Sequence, residues 1–346
     1  MKWIPASFPV VFAILGLLPA MAFGQSFAAV GTRAAGMGGA FVGVADDATA
    51  IYWNPAGLAS GSFFSLVLDH GSAKATPDVP LGGTERSSFM IALTTPALGL
   101  GYYRLHTQSA KSPLVLLPVG DGVPDRNLSA AGDIRLESLV THHAGVTIVQ
   151  SLTQGVALGA TLKLVRGIAS SQLVTAESPE AALEGPDAEV LGRASNQFDA
   201  DVGIMAYGGP LRVGLTVRNL REPSFETAGA DAELTLERQA RLGASYAVTS
   251  DWLAAADLDL TRSADVFGKR RDLALGVEGR LARRAFVRSG VRLNTLDDDG
   301  ADDSRRIAYS LGGSYAVKGS VYVDGHYTTG GDRTGREWGV AARFVY

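Results

Sequence analysis

The chain has 346 residues, with 31 Lys and Arg against 35 Asp and Glu, a formal net charge of −4 and no cysteine. This acid-leaning balance leaves no electrostatic footprint for nucleic acid, and the lack of thiols removes disulfides as staples. Glycine is abundant at 42 residues but scattered, without a collagen period.

Lys2 precedes the apolar run "FPVVFAILGLLPA", which is followed by small residues at Ala20, Ala22 and Gly24. A charged start, a short apolar stretch and a small-residue cleavage zone predict a secretory signal peptide over 1–24. A membrane anchor would need a span of about 20 apolar residues. No cysteine follows for lipid attachment, and nothing downstream is long and apolar enough for a membrane helix. The exported chain is therefore expected to be either soluble or a β-barrel.

Residues 25–61 read as small, Gly-rich and partly helical. Gly36, Gly38 and Gly39 permit positive φ and close backbone approach. In "DDATAIYWNPAGLA", Asp46 or Asp47 is the expected N-cap ahead of Ala48, Ala50 and Ile51. The aromatic pair Tyr52–Trp53 follows, and Pro55 and Gly57 are expected to end the helix. Asn54 is placed to hydrogen-bond the backbone that the Pro55-Ala56 turn leaves open. Such a segment is too short to bury itself, so it needs a partner.

From residue 62 the pattern is alternation with period two. Ala240, Leu242, Ala244, Tyr246 and Val248 alternate with Arg241, Gly243, Ser245 and Ala247; Trp338, Val340, Ala342 and Phe344 alternate with Glu337, Gly339, Ala341 and Arg343. Each such run carries one apolar face and one small or charged face, as a strand does. Fourteen strands are expected, at 62–70, 87–95, 98–107, 132–150, 155–166, 196–207, 210–219, 237–249, 251–262, 270–282, 284–294, 305–317, 320–328 and 335–346. Short connections (96–97, 208–209, 250, 318–319) alternate with long ones (71–86, 108–131, 167–195, 220–236, 263–269, 295–304, 329–334). That alternation is the mark of outer-membrane barrels; a soluble β-sandwich has no reason for it. An even strand count puts both chain ends on the periplasmic side. A barrel of this size leaves a bore, and residues 25–61, lying just before the first strand, are placed to fold up into it. The expected class is all-β, a fourteen-stranded antiparallel transmembrane barrel with an N-terminal plug.

"GMGGAFVGVADDATAIYWNPAGLA", with Asn54-Pro55-Ala56 at its centre, resembles the N-terminal hatch of the FadL-type outer-membrane long-chain fatty acid transporters, a family that includes a PorV-like branch serving protein secretion. The likeness is dense over 31–60 and looser to Tyr346. It implies a fourteen-stranded barrel with a hatch (25–61) inside a wall (62–346), and passive uptake of hydrophobic small molecules such as fatty acids. Candidate gating and ligand residues are then Phe41, Tyr52, Trp53, Asn54, Pro55 and Ala56; Gly36, Gly38, Gly39, Asp46 and Asp47 seat the hatch. Plug packing alone would also demand small residues and turns. Family members release ligand through a wall gap near the third strand, where Gly99 and Gly101 could mark a bend. In the secretion branch the outside loops, here 108–131 and 167–195, bind a protein partner. The final aromatic, Tyr346, resembles the signal read by the barrel-insertion machinery, and it also suits a lipid-facing girdle.

No catalytic constellation, cofactor motif or metal spacing is present, and no enzyme is expected. "GMGG" lacks the preceding strand and following Lys-Ser/Thr of a phosphate loop. His142 and His143 point to opposite faces of a strand and cannot share a metal. His326, on one face with Tyr322 and Asp324, is expected as a hydrogen-bonded lumen residue. Asp297–Asp303 resembles a calcium loop, but Thr295 and Arg306 fail the end positions. The lumen is expected to hold Lys163, Asp199, Asp201, Arg212, Arg218, Asp257, Asp259, Glu278, Arg280, Arg288, Arg292, Arg306 and Arg343 as mixed charge pairs.

Overall fold

The computed structural model describes residues 27, 30–75, 82–111, 132–184, 191–229, 233–265, 268–296, 307–331 and 335–346. The expected signal peptide and the acidic 297–303 run lie outside them, as does 112–131 of the 108–131 loop.

Two short helices and a 3-10 turn come first: α1 (Thr32–Gly36), α2 (Ala50–Trp53) and the 3-10 turn Pro55–Ser60. The strands follow as β1 (Ser65–Ala75), β2 (Gly82–Thr94), β3 (Leu98–Lys111), β4 (Gly132–Thr153) and β5 (Val156–Ala176), with α3 (Pro179–Leu183) after β5. Next come β6 (Arg193–Gly208), β7 (Leu211–Arg218), β8 (Ser224–Glu226), β9 (Glu233–Thr235), β10 (Gln239–Ala247) and β11 (Trp252–Asp259). The chain ends with β12 (Ser263–Asp265), β13 (Gly268–Arg270), β14 (Asp272–Ala282), β15 (Ala285–Asn294), β16 (Ile307–Lys318), β17 (Val321–Gly330) and β18 (Arg336–Val345). Fourteen of these strands form one closed antiparallel barrel in which each long strand pairs with its neighbours in sequence and β1 pairs with β18, Ser65 opposite Val345 through Lys74 opposite Arg336. Two hairpins, β8–β9 and β12–β13, stand apart from the wall.

All fourteen expected strands are present, with two kinds of correction. First, β1 continues to Ala75, β2 begins at Gly82 and β5 runs on to Ala176, so much of 71–86 and 167–195 is wall rather than loop. Second, the 220–236 and 263–269 connections carry the two hairpins.

The alternating faces fall as their chemistry requires. On β10, Leu242 and Tyr246 are exposed outside while Arg241, Gly243 and Ser245 are buried inside. On β16 the outward row is Tyr309, Leu311, Tyr315 and Val317, all more than half exposed. Tyr309 lies toward the long-loop end with Tyr327 and Trp338; Tyr315 lies toward the short-turn end with Tyr246, Trp252 and Phe344. The two aromatic rows are separated by about 20 Å of strand, close to the apolar band of a transmembrane barrel. Hydrocarbon is the solvent in which such a surface is stable. The buried core is on the other side of the wall, where residues 30–58 pack against the inward faces.

Candidate functional site: the bore and the segment that fills it

The N-terminal segment winds around the inside of the barrel, and the wall meets it with glycines. Gly312 on β16 faces Gly36, Gly276 and Gly290 on β14 and β15 face Met37, and Gly243 on β10 faces Val42 and Gly43. Gly214 and Gly203 on β7 and β6 face Asn54, Gly159 on β5 faces Pro55 and Ala56, and Gly99 and Gly101 on β3 face Ile51. A methyl on Gly159 would lie 2.3 Å from the Ala56 nitrogen, and one on Gly290 2.1 Å from the Met37 carbonyl carbon. Side chains are absent where backbone meets backbone. Gly99 and Gly101 thus accommodate Ile51 rather than a bend: β3 pairs with β2 and β4 without a register shift from Leu98 to Lys111.

Between the glycines, inward charges hold the segment's backbone. Asp69 on β1 accepts from the amides of Gly31 (3.2 Å) and Thr32 (2.6 Å). Asp257 on β11 accepts from both Phe41 and Val42, each at 2.8 Å. Arg241 donates to the Gly39 carbonyl at 3.2 Å, and Ser245 to that of Gly43 at 2.7 Å. Arg33 forks onto Glu278 on β14 (2.7 and 2.8 Å) and also reaches Asp46 (2.5 Å) and Asp47 (3.1 Å). Burial alone would raise the Asp47 carboxyl, but Arg33, Arg343 and the Thr49 hydroxyl outweigh it and hold the pKa below the usual carboxylate range.

Asn54 is the hub at the middle. Its amide nitrogen donates to the carbonyls of Val42 and of Ile204 on β6, each at 3.2 Å, and its Oδ1 accepts from the Ala56 amide at 3.1 Å. The last bond is the local one expected from sequence. The α-helix ends before Pro55, as expected, and Pro55 also opens the 3-10 turn that Asn54 caps. Neither Asp46 nor Asp47 is the N-cap of α2; Thr49 is, while Asp47 accepts from the Thr49 amide and hydroxyl just ahead of it. Phe27, Phe41, Tyr52 and Trp53 cluster with ring centroids 5.6 to 6.5 Å apart, and Tyr52 meets Tyr103 of β3 edge-on at 5.4 Å. Arg218 stands 3.5 Å over the Tyr52 ring and Arg241 4.3 Å over Phe27, a cation–π seat for the cluster. Trp53 donates to the Val30 carbonyl at 3.0 Å. Gly38 and Gly39 have positive φ, 69° and 87°.

Other predicted residues fall inside as expected, in pairs such as Lys163 with Asp199 (3.0 Å) and Asp201 (2.7 Å) and Arg288 with Glu278 (2.5 Å). Arg280 does not: it is exposed and pairs with Asp251 at the short-turn rim. Arg306 is outside the described residues. His143 is buried, stacked on Tyr103 at 4.2 Å, while His142 contacts Tyr102. His326 is in the bore, but among the described residues neither ring nitrogen has a hydrogen-bond partner, contrary to expectation. Sequence reading missed the wall glycines as a set, because each is isolated in its own strand.

Two recesses flank the segment. On the short-turn side, one is lined by Arg33, Asp46, Asp47, Ser60, Ser62 and Arg343. On the long-loop side, a smaller one is lined by Val30, Thr32, Ala35, Asp69, Arg86, Ser88, Leu105, His106, Thr107, His326 and Glu337.

Residues 104–259 match the family model described as "F plasmid transfer operon, TraF, protein". By sequence, no curated protein matches the chain. Among solved structures it resembles the CymD monoaromatic hydrocarbon channel, at 14% identity and a TM-score of 0.64, covering 94% of this chain and 99% of that one. The Ralstonia pickettii toluene transporter TbuX is similar at 13% identity and a TM-score of 0.61, covering 92% and 99%. A Pseudomonas aeruginosa FadL homologue is similar at 11% identity and a TM-score of 0.60, covering 94% and 99%. The likeness to FadL-type barrels expected from residues 31–60 holds at the level of the fold.

Proposed function

We propose that this chain is an outer-membrane channel for passive uptake of hydrophobic small molecules, long-chain fatty acids among them, with residues 25–61 as its hatch and both termini periplasmic. One observation carries the reading. The wall closes on itself through β1 and β18 and, among the described residues, shares no strand pairing with the segment inside. The hatch can therefore shift without breaking a barrel ladder. Beside its apolar contacts, its seat uses ion pairs and single hydrogen bonds, which water entering the bore can replace. Asn54, with Pro55 and Ala56, is the pivot; Tyr52, Trp53 and Phe41 are the apolar surface that moves; Gly36, Gly38, Gly39, Asp46 and Asp47 return it to its seat. The partners are membrane lipid, the transported ligand and, through the strand ending at Tyr346, the barrel-insertion machinery. Replacing Asn54 and Pro55 by Ala should change uptake of a labelled fatty acid at least severalfold in cells; unchanged uptake would refute the channel.

A second reading has its own support. The uninterrupted β2–β3–β4 ladders leave no side exit, as suits a non-transporting scaffold of a secretion system that binds a protein through its long loops. A stoichiometric protein partner retained through purification from native membranes would favour it over the channel.

A further inference from the structure

We infer that the cavity on the long-loop side of the hatch binds a compact, uncharged molecule joining an apolar body to a hydroxyl group, in preference to a bare hydrocarbon or a carboxylate. This concerns one cavity of the proposed channel, not every molecule that the channel passes, and rests on that reading.

Part of the cavity wall is apolar, from Val30, Ala35 and Leu105. Facing it is His326, with its side chain only 3% exposed and no hydrogen bond on either ring nitrogen among the described residues. Glu337 Oε1 lies 3.6 Å from Nε2, an ion-pair contact when the ring is protonated but longer than a hydrogen bond. Thr32 Oγ1, also buried in this lining, has no partner either. A buried imidazole nitrogen and a buried hydroxyl that no protein group pairs cost free energy until something hydrogen-bonds them. A hydrocarbon filling the cavity would leave both unsatisfied, whereas a ligand hydroxyl both donates and accepts.

Charge argues in the same direction. The lining holds two carboxylates, Asp69 and Glu337, against one guanidinium, Arg86. Asp69 is already engaged with two backbone amides of the hatch. A carboxylate ligand would find no surplus of positive charge here, and a neutral one needs none.

The test uses the full chain in detergent micelles and ligand-observed NMR titrations with phenol, toluene and benzoate. Phenol is expected to bind about tenfold more tightly than toluene, the fold-change that one net hydrogen bond supplies. Benzoate should bind more weakly than phenol. His326→Phe should abolish the phenol preference and His326→Asn should restore part of it, with heat-modifiable migration confirming that each variant is folded. Toluene or benzoate binding as tightly as phenol, or a phenol preference unmoved in His326→Phe, overturns the inference. Liposome uptake of phenol is read separately. Selective binding without uptake upholds the site and refutes the channel; uptake without selective binding upholds the channel and refutes the site.

Discussion

A methyl group on Gly203 would sit 2.1 Å from Asn54 Oδ1, the atom that caps the 3-10 turn. Asn54 cannot yield easily, because its amide nitrogen is also held on both sides, by Val42 and Ile204. Gly203→Ala is therefore expected to destabilise the seated N-terminal segment by about 1–3 kcal/mol, the usual cost of overpacking. The check is faster proteolysis of that segment with no change in the barrel's heat-modifiable migration. Asp47 sets a pH signature. Its folded pKa is depressed, so the stability it contributes is present above the unfolded carboxylate value of about 4 and is lost only as pH falls through the lower, folded value. The share of the segment's protease protection that rests on Asp47 should persist from neutral pH down to about 4 and fall below that; Asp47→Asn should lower protection at neutral pH and shrink the acid-dependent loss.

At the scale of elements, the alternation in β10, β14 and β18 was readable because one face meets hydrocarbon and the other meets the bore. It fades in the upper parts of β1 and β5, where sequences such as Gly71-Ser72-Ala73-Lys74 carry no apolar face. Those stretches are held by ladder pairing with β2, β18 and β4 instead, which a single strand's sequence does not display. The N-terminal segment was readable as turns and small residues, and Asn54 as a local hydrogen-bonding residue. Its true helix start at Thr49 was hidden, because Asp47 spends its oxygens on Thr49 and Arg33 rather than on a cap. Asp257, Asp69 and Glu278 looked like ordinary lumen charges; only the closed wall shows that each grips backbone or side chain of the same segment. Because that segment adds no rung to the wall, deleting 25–61 should leave a folded, heat-modifiable barrel that conducts ions in planar bilayers. A deletion that fails to fold would show instead that the segment is structural.

For the molecule as a whole, the outward surface sets where it can live. Leu311, 67% exposed, lies between the aromatic rows at Tyr309 and Tyr315. Leu311→Arg should cost about 1–3 kcal/mol in folding into lipid bilayers, between the values for a cation at the interface and at mid-membrane. Reversible folding titrations in vesicles would measure it, and a loss near zero would place this face against water or protein instead.

The seam between the first and last strands, tied by paired backbone bonds between Phe64 and Tyr346, also bears on how the molecule is born. A growing chain makes its aromatic stopper before it has any walls, and Phe41, Tyr52 and Trp53 have no dry shelter until the cylinder shuts. Sealing and stoppering therefore coincide, late and together. A polypeptide halted before its closing hairpin would present those rings to whatever chaperone or protease meets it first.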